Sequence, residues 1–383
     1  MAPVDSFARA DPSHSSPAPA QAAGILVRQQ LAALVEQGVI AATAPVEAAQ
    51  IQPASIDLRL GPVAYRVQAS FLPGERTTVA TRLEDVRMHE PLDLTRPCLL
   101  ERGCVYIIPL LESLRLPPHL AARANPKSTT GRLDIFTRLI VDHGTQFDGV
   151  SAGYHGPLYV EVVPRTFSVI VTEGTRLNQL RVMQGEVTFS DEHLRELHQA
   201  EPLIHVAGQP AEAIISGGLW LTIDLQGAAG SDLVGYRARP QGLIDLSRVG
   251  YYDRNEFWEP VHRSRKHTII LNPDDFYILV SREQIRVPPN LAAEMVAYEP
   301  PIGEFRVHYA GFFDPGFGHG HGLPGTPGVL EVRSHEVPYL LEDGQIVARL
   351  IYERLLTEPD RLYGTGIGSS YQHQGLTLSK QFR

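Results

Sequence analysis

Cysteine is nearly absent: Cys98 and Cys104 are the only two in 383 residues. Two thiols cannot build a disulfide framework, and such sparse usage points to a reduced, cytoplasmic location. The chain also has no run of about 18 or more apolar residues, so no helical membrane span is expected. A charged start followed by an apolar core is missing from residues 1–21. This Ala-, Pro- and Ser-rich stretch reads as a disordered tail and not as a secretory signal. Positive charge is in deficit, with 34 Lys and Arg against 43 Asp and Glu and a net charge of −9. That balance argues against a nucleic-acid surface. A polyanionic ligand would need a local basic cluster and a divalent cation.

Glycine and proline are abundant, at 33 and 30 residues, and helical spacing is rare. Residues 24–37 carry apolar side chains at helical intervals and stop at Gly38; a second helix is expected over Asp191–Ala200, closing the first domain. Elsewhere short β-branched or aromatic runs alternate with turns: Val63–Val67, Val105–Leu110, Leu158–Val163, Ser168–Val171, Ile269–Leu271, Tyr277–Val280 and Ile346–Tyr352. The chain therefore reads as mainly β, and its length suits two domains, each with its own core.

Those domains repeat each other. Ile56-Asp57-Leu58 returns as Ile223-Asp224-Leu225, Tyr106-Ile107 as Tyr277-Ile278, and Leu116-Pro117-Pro118 as Val287-Pro288-Pro289. Phe147-Asp148 returns as Phe313-Asp314, and Val160-Glu161-Val162 as Leu330-Glu331-Val332. Each step is roughly 170 residues, too long a period for a solenoid. The expected boundaries are a tail over 1–21, a first domain over 22–205, a second over 206–362 and a closing tail over 363–383. The copies differ in one loop: Lys127-Ser128-Thr129-Thr130-Gly131-Arg132 in the first faces Glu299-Pro300-Pro301-Ile302-Gly303-Glu304 in the second. Loss of polar groups from one copy implies one site per pair of domains.

The Lys127–Arg132 loop packs two cations, three hydroxyls and a glycine, which suits phosphate. Many such loops are only solvated turns, and this one lacks the glycine spacing of a Walker A loop. Glu161 and Glu331 each sit between apolar strand residues. Each either faces solvent or is a general base with a raised pKa. His319-Gly320-His321-Gly322 has no nearby Cys or carboxylate to complete a metal site. No His-x-Glu is followed by Pro-Cys-x-x-Cys, so zinc-type nucleobase deamination is excluded.

Ser55-Ile56-Asp57-Leu58-Arg59-Leu60-Gly61, the Lys127–Arg132 loop, Phe312-Phe313-Asp314-Pro315-Gly316-Phe317 and Tyr371-Gln372-His373-Gln374-Gly375 together resemble the dCTP deaminases of the trimeric dUTPase superfamily. The resemblance runs from about residue 24 to the end and is similar to a double-length bacterial variant. It implies two tandem distorted β-barrel domains of the β-clip, dUTPase-like kind with a few short helices. It places phosphate contacts on Lys127, Ser128 and Thr129, a supporting arginine at Arg132, and the catalytic glutamate at Glu161 or Glu331. Base-facing backbone falls on Ala310, a sugar-facing aspartate on Asp314 with Asp148 as its first-copy equivalent, and tail contacts on Tyr363 and Gln374. Ser370 stands where the family usually has Lys.

The implied reaction uses no metal at the carbon and no zinc. A glutamate takes a proton from water, hydroxide adds to cytosine C4, and ammonia leaves; Mg²⁺ rides on the triphosphate. The implied partners are dCTP, with dUTP or dTTP as product or feedback ligand, and further copies of the chain in a homo-oligomer, either a trimer or a composite of the two domains. Two other readings stay open: a dUTP diphosphatase or bifunctional enzyme, and a non-catalytic nucleotide-binding regulator. The base is either Glu161, beside the intact loop, or Glu331, if the site is shared between the copies.

Overall fold

Short β-branched runs form strands, and glycine and proline separate them. The computed structural model describes residues 22–228, 230–240, 242–297, 305–307, 311–320, 322, 324–334, 337–364, 372 and 375–383. The 1–21 tail therefore lies outside the described residues. The chain is mainly β, as the sequence implies, with α-helices at Arg28–Glu36, Val79–Val86 and Asp191–Ala200 and single turns at Ser128–Gly131 and Arg254–Phe257. None of the described helices is long and apolar enough to cross a membrane.

The first helix starts later than expected. Gly24–Ile25 is instead a strand edge, pairing with Gln184 and Met183. Glycine is required there: a Cβ on Gly24 would lie 2.6 Å from the Leu356 nitrogen.

The ladders reveal the duplication directly. In the first domain, Arg176–Gln184 pairs with Leu120–Pro126 and Ile56–Arg59, and Gly149–Val150 pairs with Leu120–Pro126. In the second, Ile346–Arg354 pairs with Leu291–Ala297 and Leu219–Thr222, and Gly311–Phe313 pairs with Leu291–Ala297. A second sheet also repeats: Glu161 faces Ile107 across one ladder, and Glu331 faces Ile278 across the other. The two glutamates are thus true structural equivalents.

Two of the sequence equivalences slip in register. Ala122 faces Val182 and Val150, while its counterpart Ala293 faces Tyr352 and Phe313. Val150, and not Phe147, is therefore the partner of Phe313, so Asp148 is not the structural counterpart of Asp314. Likewise Ile56 faces Leu180, and Leu219 faces Leu350. Asp57 accordingly corresponds to Trp220, and Asp224 lies elsewhere. Similar letters misalign where loops of different length intervene.

The domain boundary also moves. Leu194, Leu203 and Ile204 pack with Leu219, Leu279 and Tyr352 in the second core. The Asp191–Ala200 helix therefore opens the second domain and does not close the first, and the expected break after residue 205 is too late. The first core in turn takes in Phe257, Trp258 and Ile278 of the second domain and Leu378 near the C-terminus. Leu243–Asp245 even joins the first domain as a strand, parallel to Ser168–Val171. The two domains interlock along a broad buried face.

Candidate active site

Strand alternation aims the second-domain glutamate at the first domain. Along Thr326–Ser334, Leu330 and Val332 turn into the second core. Val329, Glu331 and Arg333 turn the other way. Arg333 reaches across to donate to Asp134 and, at 3.1 Å, meets Thr166 Oγ1. Val329 and Glu331 line a cavity of about 790 Å³ whose other wall is the Lys127–Arg132 loop.

The loop is a single helical turn, Ser128–Gly131, entered through extended Lys127. Thr130 is buried and donates to the Leu177 carbonyl at 2.8 Å, which fixes the turn. Ser128 stays exposed within the cavity. Arg132 is buried, donates to the Thr377 carbonyl at 2.8 Å, and its charge acts on Glu331. Burial pushes the Glu331 carboxyl up to about 7, with Arg132 opposing part of that shift. A glutamate titrating near neutrality can both accept and return a proton.

The second domain supplies more of the lining. Asp314, Phe317 and Tyr363 line the cavity together with Phe312 and Phe313. A turn through Gly316, at φ 93°, returns the Phe317 amide to the Asp314 carbonyl at 3.1 Å. A Cβ there would meet the Leu362 side chain at 2.9 Å, so glycine keeps the turn closed. Tyr363 hangs from the same turn through its amide to Pro315, and its ring lies 5.6 Å from Phe317. Asp314 is buried, which raises its pKa, with the Arg181 charge pulling the other way.

The structure thus joins Lys127, Ser128, Thr129 and Arg132 of one domain to Asp314, Glu331 and Tyr363 of the other. Ala310 and Gln374 lie outside the described residues. Glu161 and Asp148 do not line the cavity. Glu161 is instead held by Arg138, at 3.0 Å from Nε and 2.7 Å from Nη2. The Arg138 guanidinium lies 3.5 Å from the centre of the Phe147 ring. Asp148 accepts from the Leu139 amide at 2.7 Å, and burial pushes its carboxyl up to about 7. Arg138 thus pairs with Glu161 in the first domain, while Glu331 is the glutamate that lines the cavity.

Residues to which no motif assigns a role complete the cavity. Asp57 pairs with Lys127 and sits 3.9 Å from Arg176. Lys380 and Gln381 reach the lining from the extreme C-terminus. Asp57 belongs to the Ser55–Gly61 motif; no sequence pattern marks Lys380. Among the described residues no group of three or more His, Cys, Asp or Glu is arranged to hold a metal ion.

Comparisons with known proteins point one way. Residues 22–186 match the family described as 2'-deoxycytidine 5'-triphosphate deaminase N-terminal domain, and residues 190–382 match its C-terminal domain. A dCTP deaminase of Halorubrum lacusprofundi is 32% identical over 132 residues, covering 34% of this chain and 62% of that protein. A dUMP-forming dCTP deaminase of Halobacterium salinarum is 32% identical over 108 residues, covering 27% of this chain and 52% of that protein. Across the two, the chain spans less than two thirds of either relative's length. The crystal structure of 2'-deoxycytidine 5'-triphosphate deaminase from Agrobacterium tumefaciens is 48% identical, with a TM-score of 0.83, covering 87% of this chain and 99% of that one.

Proposed function

This chain belongs to the 2'-deoxycytidine 5'-triphosphate deaminase family, and on that premise we propose that it converts dCTP and water to dUTP and ammonia in a cavity built from both of its domains. One observation carries the reading: the Glu331 carboxyl, with its pKa near 7, shares a cavity with Ser128 and Arg132.

Glu331 acts as the base. It takes a proton from water as the oxygen bonds to C4 of the cytosine ring. The carboxylic acid so formed returns that proton to the C4 amino group, the electron pair that addition had pushed onto ring N3 re-forms the ring double bond as the carbon–nitrogen bond breaks, ammonia leaves, and the proton on the new C4 oxygen passes to N3 to give uracil. Ser128 orients the water. Arg132 keeps enough of the glutamate ionised to accept the proton. Lys127 and Thr129 hold phosphate oxygens, Asp314 accepts from the sugar hydroxyl, and Tyr363 packs over the pocket. The family resemblance would add Ala310 and Gln374, which lie outside the described residues. Buried walls around Glu331 shield the reaction from bulk water.

Mg²⁺ would arrive on the triphosphate and offset its charge. Oxygen ligands suit a hard cation, and here the phosphate oxygens would supply them, since among the described residues no cluster of carboxylates is arranged to hold the ion. Zinc has no part in this reading.

A second reading is favoured by one observation: the Halobacterium salinarum relative carries the name dUMP-forming. A bifunctional enzyme would also cleave the triphosphate. Ammonia and pyrophosphate released from dCTP and from dUTP separate the two. Ammonia alone from dCTP, with dUTP untouched, is expected. Pyrophosphate in step with ammonia would favour the bifunctional enzyme, and pyrophosphate from dUTP without ammonia from dCTP would sink the deaminase reading. Nucleotide binding with neither product would leave a regulator.

A further inference from the structure

The C-terminus is part of the site's wall. Leu378 and Phe382 pack into the first core. The Phe382 ring lies 5.5 Å from Phe257 and 5.8 Å from Trp258. Ser379 donates to the Thr129 carbonyl at 3.0 Å, inside the phosphate loop itself. Gln381 donates to the Leu246 carbonyl at 3.1 Å, and the Gly250 amide donates to the Lys380 carbonyl at 2.9 Å. Residues on both sides of Lys380 are therefore fixed, and its own side chain is exposed into the cavity.

The cations around it are already engaged. Lys127 is paired with Asp57. Arg176 pairs with Glu47 at 2.5 Å and sits near the same Asp57. Among the described residues Lys380 has no ion pair of its own, and its charge feels repulsion from Lys127 and Arg176 with only Asp57 to offset it. Three basic side chains gather around Asp57, with Glu47 on the far side of Arg176 and Asp314 within reach of the Lys127 charge. A lysine without an ion pair, lining the same cavity as the phosphate loop in a chain of net charge −9, suits an anionic ligand.

We propose that Lys380 is a fixed cationic contact for the triphosphate, acting beside Lys127 at the phosphate end of the cavity. This rests on the cavity taking a nucleoside triphosphate, but not on which reaction follows. An ammonium point charge on a flexible stem can follow phosphate oxygens without a set geometry. The contact is held in place by the aromatic anchor at Phe382, not gathered in by a moving segment.

Inorganic tripolyphosphate tests the contact without a base or sugar. Thermal melts of the full-length wild type, Lys380→Met and Lys380→Arg proteins are compared with tripolyphosphate and with NaCl at equal ionic strength. Wild type and Lys380→Arg should gain stability beyond the NaCl control, and Lys380→Met should lose most of that gain. In parallel, the KM for dCTP should rise about tenfold in Lys380→Met, the usual size of a lost charged hydrogen bond, with kcat within about twofold and dCMP binding little changed. Equal tripolyphosphate stabilisation in Lys380→Met, or none in wild type, overturns the proposal. So does an equal loss for dCMP and dCTP. If the stabilisation depends on Lys380 but dCTP yields no ammonia, the phosphate contact stands and the deaminase reading fails.

Discussion

Arg181 of the first domain points its guanidinium at Asp314 of the second, with Nη2 3.5 Å from the carboxylate. The same nitrogen donates to the Phe313 carbonyl at 2.9 Å, and Nη1 donates to the Ala293 carbonyl at 2.9 Å and to Glu353 at 2.8 Å. The guanidinium carbon lies 4.0 Å from the centre of the Phe312 ring. Arg181 is fully buried, as is Glu353. One first-domain side chain thus fixes the segment that lines the second-domain end of the cavity.

Removing that side chain should be costly. Arg181→Met takes a donor from Asp314 and from two carbonyls and leaves Glu353 with Arg123 alone, and breaking a buried pair typically costs about 3–5 kcal/mol. Urea unfolding should report a loss of that order, and the KM for dCTP should rise because Asp314 loses its orientation. Unchanged stability would mean that the interlock is decorative.

Glu331→Gln should abolish turnover by orders of magnitude while keeping dCTP binding. The amide retains the shape but cannot accept a proton. Glu161→Gln should leave turnover near wild type, and any effect should fall on stability through the lost Arg138 pairing. Steady-state kinetics and a binding titration on both variants decide the assignment; a dead Glu161→Gln enzyme with an active Glu331→Gln one reverses it.

Activity should follow the ionisation of Glu331. Its pKa, pushed up to about 7 by burial, predicts that kcat/KM falls as pH drops below about 7. Stability runs the opposite way. The folded pKa lies above the ordinary value of 4.5, so the neutral form is favoured by folding. That contribution is complete below about 4.5 and is lost as pH rises through about 7. Glu331→Gln removes this loss, so its melting temperature should gain on wild type between pH 5 and pH 8, the range about which the shift acts. A pH-independent difference between the two would remove Glu331 from the titrating groups.

Ser128→Ala and Arg132→Ala should each lower kcat by about 10² to 10⁴, the usual cost of removing a positioned proton-transfer or electrostatic group. A selective rise in KM with kcat intact would reassign both to binding alone.

Zinc removal should leave activity intact. Excess EDTA should suppress it, and Mg²⁺ should restore it, because the cation is needed for the triphosphate and not for the carbon. Activity recovered only by zinc would refute that division.

Much of the architecture can be read in the residues. The β-branched runs and the glycine and proline punctuation give a mainly β chain, because strand formation and turns are local preferences. The repeat is legible because equivalent strands need equivalent apolar patterns. The loop Lys127–Arg132 and the turn Asp314–Phe317 announce themselves by composition. Register is less legible: Asp148 resembles the partner of Asp314 in the letters, yet the ladder pairs Val150 with Ala122 where Phe313 pairs with Ala293.

Which glutamate reaches the cavity was decided by tertiary structure alone. Glu161 and Glu331 occupy the same ladder position and the same outward strand face. Around Glu331 that face is covered by the first domain, whose Arg132 charge acts on it and whose Ser128 lines the same cavity. Around Glu161 it carries Tyr159 into a small cluster with Val79, Leu83 and Phe147, and Arg138 pairs with the carboxylate. Lys380 is the same case at the other end, a lysine in an unremarkable tail made part of the site by where Leu378 and Phe382 are buried. Identical local sequence preference gives each residue its strand or its turn; only the packing of one domain on the other gives it a partner, a dielectric and a charge environment.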